Sequence, residues 1–150
     1  MVNSIKRLNK FQIVGFIIQV ISFIGCCFKI DAFTNWFWIG TSLIIIGGIY
    51  FIDFWGKEGK TRYKKLDKKR DKNLTRKTSE FIFFLAVAQA MIVSSAFIVE
   101  FLIKDFSKRF STITGIFIIT TLCLIITLIV VEKTFRQVDL IATQNDKIRK

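Results

Sequence analysis

At 150 residues the chain has single-domain length; 52% of it is hydrophobic, its net charge is +12, and it contains no histidine and no proline. That apolar share is high for a soluble domain. The lack of histidine removes imidazole base catalysis and His-based metal sites from consideration.

The first apolar run, Phe11–Phe28, follows a short basic segment holding Lys6, Arg7 and Lys10. It is long and lacks an A-x-A cleavage site, so it reads as a retained anchor and not as a signal peptide. Phe23-Ile24-Gly25-Cys26 partly resembles a bacterial lipobox, although Phe23 stands where Leu is usual. Within the run Gln12, Gly15, Gln19, Ser22 and Cys26 are spaced 3, 4, 3 and 4, which puts them on one helix face. Small and amide residues on one face of an apolar helix predict a packing seam in lipid. The sharper reading is a polar lining for a substrate path. Lys10-Phe11-Gln12-Ile13-Val14-Gly15 resembles the opening of the GtrA-type four-span proteins linked to polyprenyl-sugar flipping. The Asn-Arg and aromatic signature expected near the end of the second span is missing, so nothing is carried over from it.

Lys29–Asn35 is expected to form a tight external turn. The second run, Trp36–Phe54, has Trp36, Phe37 and Trp38 at one end and Tyr50, Phe54 and Trp55 at the other, the pattern of aromatic belts at two interfaces. Gly40, Gly47 and Gly48 offer close-approach positions, and Gly56 and Gly59 are expected to end the helix. Asp53, with Lys57 four residues on, reads as an interfacial pair.

Residues 55–80 form a strongly basic linker, with eleven Lys/Arg against four acids. Charge of this kind resists translocation and places the linker in the cytoplasm. It is expected to be a charged helix entering the third span or a loop on the headgroups. Lys64, Lys65, Lys68, Lys69 and Arg70 are the candidate contacts for anionic lipid. Nucleic acid is a disfavoured partner, because the positive-inside rule already explains the charge. Thr78 and Ser79 are candidate N-caps.

The third run, Phe81–Ile103, carries Ala86, Gln89, Val93, Ala96 and Glu100 at helical spacing, with Ser94 and Ser95 alongside. Glu100 has Lys104 four residues on, again in the favourable order for an interfacial pair, although an intramembrane carboxylate is also a functional suspect. Lys104–Thr112 is the second expected turn. In the fourth run, Ile113–Val131, Thr120, Cys123 and Thr127 share a face. The tail, 132–150, keeps a loose apolar stripe of Phe135, Val138, Ala142 and Ile148. The two halves resemble each other around Lys29-Ile30-Asp31-Ala32-Phe33 and Lys104-Asp105-Phe106, the pattern of a parallel repeat.

Each of the four runs has 18 or more residues and at most one charge, the criterion for a transmembrane helix. The expected fold is therefore an all-α integral membrane four-helix bundle: two transmembrane hairpins joined by a basic cytoplasmic loop, with both termini cytoplasmic. Gln19 is expected to meet Gln89, Ser94 or Ser95 across a parallel pair of the first and third spans. The three cysteines, Cys26, Cys27 and Cys123, form no C-x-x-C, and no phosphate loop, G-x-S-x-G or catalytic carboxylate pair is present. No enzyme, cofactor or metal site is expected. The expected role is contact with a protein partner or a second copy, of toxin-immunity or accessory-subunit type. The alternative is a small oligomeric transporter or channel lined by Gln12, Gln19, Gln89 and Glu100. The Phe-, Ile-, Lys- and Asn-rich composition suggests a bacterial origin.

Overall fold

A computed structural model describes residues 8–51, 68–103 and 105–148. They form four helices: α1 (Lys10–Cys27), α2 (Ala32–Ile49), α3 (Lys68–Leu102) and α4 (Phe106–Ile148). All four are long and apolar enough to cross a membrane, so the chain is an all-helical, multi-pass membrane protein. At the helical rise α1 and α2 are each about 27 Å long, a match to a hydrocarbon core of about 30 Å. By the same rise α3 is about 52 Å and α4 about 64 Å, so both extend well past that thickness at the end that bears the basic linker.

The helices pack in a ring. α1 pairs with α2, α2 with α3, α3 with α4, and α4 closes on α1. α1 and α3 therefore stand diagonally, and the expected α1–α3 pair is not formed. Polar and small residues turn inward: on α1, Gln12, Gly15, Gln19, Ser22, Gly25 and Cys26 are buried, while Phe11, Val14, Ile17, Ile21 and Ile24 are exposed. This is the reverse of a soluble bundle, whose apolar stripe faces its core. In lipid, with no hydrophobic force between helices, close packing and polar pairing hold the spans together.

The α1–α2 hairpin is the tightest unit. Its turn is shorter than expected because α2 starts at Ala32, one turn before Trp36. The turn closes as a Schellman motif: Lys29 N–H donates to the Cys26 carbonyl at 2.9 Å and Ile30 N–H to the Gly25 carbonyl at 3.3 Å. Lys29 sits at φ 60°, in the left-handed region that usually falls to glycine. α1 begins with a capping box. Asn9 Oδ1 accepts from Phe11 N–H at 3.2 Å, and Gln12 Oε1 accepts from Asn9 N–H at 3.4 Å.

Several boundaries differ from expectation. α2 ends at Ile49, before Gly56 and Gly59, which lie outside the described residues with Asp53, Phe54, Trp55 and Lys57. α3 begins at Lys68, so Thr78 and Ser79 lie within the helix and cap nothing. Thr78 Oγ1 instead shares a 2.8 Å hydrogen bond with Thr134 Oγ1 on α4. α4 begins at Phe106, so the expected turn 104–112 shrinks to a few residues around Asp105, whose carboxylate accepts from Ser107 N–H at 3.1 Å. Trp36 is exposed as a belt residue would be, but Trp38 is buried. It points into the bundle, edge-on to Phe37 and to Phe97. Phe23 of α1 stacks on Phe117 of α4, with centroids 4.4 Å apart, and on Phe110 at 6.0 Å, which closes the ring at the end bearing the turns.

Candidate functional site

The buried polar residues form three stations along the bundle axis. The middle one centres on Gln19, which is 0% exposed. Its Nε2 donates to Thr41 Oγ1 of α2 at 2.8 Å, and its Oε1 accepts from Thr120 Oγ1 of α4 at 3.1 Å. One amide thus joins three helices. Both hydroxyls also lie within reach of their own helix carbonyls: Thr41 of Phe37 at 2.9 Å, and Thr120 of Ile116 at 2.9 Å. Thr41 spends its proton on its own helix and accepts from Gln19. Thr120 divides its proton between the Ile116 carbonyl and Gln19. The approach that makes this geometry possible comes from Gly15 and Gly40, which leave the α1 and α2 backbones in contact.

The station nearer the basic linker is a small chamber of about 10 Å³ between α1, α2, α3 and α4. Gln12, Gln89, Cys123 and Thr127 supply its polar lining, and Ile44, Gly48 and Ile82 part of its apolar wall. Asn9 braces this end, its Nδ2 donating to the Gly47 carbonyl at 3.3 Å. Gln89 Nε2 is buried without a hydrogen-bond partner.

The third station lies at the turn end. Glu100 of α3 is 6% exposed and lies within electrostatic reach of the Trp38 indole N–H on α2 and the Arg109 guanidinium on α4. Neither Glu100 Oε2 nor Trp38 Nε1 completes a hydrogen bond. Arg109 is also 4.0 Å from Asp31 at the α1–α2 turn. Beside them Cys26 Sγ meets Thr34 Oγ1 at 3.9 Å. Glu100 is therefore an interior residue facing Trp38 and Arg109, and not an anchor at the lipid interface. Lys104, its expected partner, lies outside the described residues.

Gln12, Gln19, Ser22, Gln89 and Glu100 all face the interior. Gln12 and Gln89 line one chamber. Gln19 meets neither Gln89 nor the α3 serines, because α1 and α3 are diagonal; Ser94 and Ser95 are exposed on the outer face of α3. Of the candidate lipid contacts, Lys68, Lys69 and Arg70 lie in the first turn of α3, and Lys64 and Lys65 lie outside the described residues. Thr41, Arg109 and Asn9 went unnoticed in the sequence. Asn9 had a readable signal in the Asn-x-x-Gln spacing of a capping box; Thr41 and Arg109 had none beyond their position next to Gly40 and in an expected turn.

Among the described residues no three His, Cys, Asp or Glu side chains gather as a metal site would require. No family model, curated protein or solved structure matches the chain.

Proposed function

We propose that the chain is a non-enzymatic membrane protein that acts by helix contacts with a protein partner, as an immunity protein against a membrane-active toxin or an accessory subunit does. The observation that carries this reading is the Gln19 bridge. It closes the bundle at mid-depth with paired polar groups, so the interior serves as a brace. The surfaces left to act are the outer helix faces and the ends of α3 and α4 beyond the membrane. Leu140 and Ile148, at the far end of α4, are exposed. The basic linker, with anionic headgroups as its counter-charge, and both termini are assigned to the cytoplasm of a bacterial cell membrane by the positive-inside rule.

Two measurements test this. Expression of the chain in cells challenged with the toxin encoded beside it should restore growth; for an accessory subunit, the chain should copurify in fixed ratio with the products of neighbouring genes, and failure of both defeats the reading. In a background with its three cysteines replaced by alanine, Asn35→Cys and Ser111→Cys should react with an impermeant maleimide in intact cells, whereas Asn73→Cys should not. The reverse pattern overturns the orientation.

A second reading, transport, draws on the placement of Gln12, Gln89 and Glu100 on either side of the Gln19 bridge. It requires the bridge to open. Solute flux in proteoliposomes that Glu100→Gln abolishes would favour it over the contact reading.

A further inference from the structure

We propose that the chamber between Gln12, Gln89 and Thr127 is a binding site for a single ordered water molecule, which joins α3 to α1 and α4 by hydrogen bonds. The proposal stands apart from the function argued above and does not depend on it.

Three observations converge on water. The first is chemistry. Gln89 is 5% exposed and its Nε2 has no protein partner, and an amide donor left unpaired in an apolar surrounding is strongly disfavoured. What meets it must be an acceptor, which excludes a metal cation.

The second is size. The chamber holds about 10 Å³, at the lower limit of the roughly 10–15 Å³ that one water needs. An organic ligand does not fit, nor does an inorganic oxyanion.

The third is the number of partners. A buried water typically makes about three hydrogen bonds. Thr127 Oγ1 spends its proton on the Cys123 carbonyl at 2.8 Å, which leaves its lone pairs to accept. Gln12 Oε1 is turned to the Asn9 N–H at 3.4 Å, which leaves its Nε2 beside Gly48 on the chamber wall as a second donor. A water that accepts from Gln89 Nε2 and Gln12 Nε2 and donates to Thr127 Oγ1 makes three bonds.

The wall explains why this station is wet while its neighbour is dry. At Gln19 the Gly15–Gly40 contact draws the helices close enough for direct side-chain bonds. Around Gly48 the nearest α3 residue is Ala86, whose Cβ already lies 2.7 Å from where a Gly48 Cβ would stand. The Ala86 side chain fills the approach there, and Gln12 and Gln89 are left lining the chamber without a direct bond between them.

The test is proton NMR on the full chain in perdeuterated micelles, observing the Gln89 side-chain amide. A water held in the chamber gives cross-peaks from water to this amide of opposite sign in nuclear Overhauser and rotating-frame spectra. Exchange or passing surface water does not produce that sign pattern, and the exposed Gln137 amide serves as the control. The expected result is such a pair of peaks in the native chain and their loss in Thr127→Val. Their absence from the native chain overturns the proposal without recourse to any variant, and their persistence in Thr127→Val overturns the assigned bridge.

Discussion

Gly15 and Gly40 lie so close across the first hairpin that a Cβ on either would fall within 2.8 Å of the other's carbonyl oxygen. No side chain can be added there without separating α1 from α2, and the Gln19–Thr41 bond lies one turn away. Gly15→Ala is expected to destabilise the bundle by about 2 kcal/mol, the usual cost of overpacking. Gly115 provides the contrast. It has open space around it, so Gly115→Ala should stabilise α4 by about 0.5–1 kcal/mol through backbone entropy alone. Unfolding of both variants in mixed micelles, followed by circular dichroism, measures the difference. Equal effects would refute the contact.

Gln19→Leu removes two interhelical bonds while both threonines keep carbonyls on their own helices. The loss is therefore modest, about 1–2 kcal/mol for the pair. Ile18→Leu, one position off the buried face, should be neutral. Thr41→Val and Gln19→Leu combined should cost less than the sum of the two singles, since they share a bond. Strict additivity in that double-mutant cycle would show that the bond contributes nothing.

The hairpin turn offers a stabilising change. Lys29 holds a left-handed conformation that costs a side-chain-bearing residue roughly 1–2 kcal/mol, and the Schellman hydrogen bonds depend on it. Lys29→Gly relieves that strain and should raise stability by about 1 kcal/mol, less the added entropy of the unfolded chain. A fall in stability would mean that the Lys29 side chain makes a contact worth more than the strain.

The turn-end station predicts strong coupling. Arg109→Met leaves the Glu100 carboxylate buried without the guanidinium charge that acts on it from α4. Full removal of one partner from a buried pair costs about 3–5 kcal/mol; because Arg109 is partly exposed, about 2 kcal/mol is expected. Glu100→Gln should be milder alone and should recover much of the loss when added to Arg109→Met. A double variant as unstable as the sum of its singles would show that the two residues do not act on one another.

The helices were legible in the sequence because lipid imposes a simple requirement. Eighteen or more apolar residues in a row have one use, and the 3-and-4 spacing of Gln12, Gly15, Gln19, Ser22 and Cys26 identified the buried face of α1 directly. Register between helices was not legible. Gln19 and Gln89 lie at similar depths in their runs, but depth is shared by every helix in a bundle and says nothing about which are neighbours. The ring order follows from Gly15 meeting Gly40 and Phe23 stacking on Phe117, contacts between residues far apart in sequence. Trp38 differs for a related reason: it stands two residues from Trp36 at an interface-like position, yet residues two apart on a helix diverge by about 200°, so only one of the two can face lipid. Glu100 was assigned to the surface on the strength of a local Lys104, when the partners that matter come from α2 and α4.

The two bonds of Gln19 also differ in when they can form. Thr41 is 22 residues away and Thr120 is 101. During synthesis the amide meets its first partner as soon as the second helix has left the ribosome, so the opening hairpin enters the bilayer with its most polar side chain already half satisfied. The remaining acceptor waits for the fourth helix, about a hundred residues further along the chain. The hydroxyls of α4 bond within their own helix at Thr114, Thr120, Thr121, Thr127 and Thr134, so that last helix can travel through lipid without a partner and dock late. Association of preformed spans is the general route for helical membrane proteins. Here the unequal sequence distances of the two threonines from Gln19 favour that order.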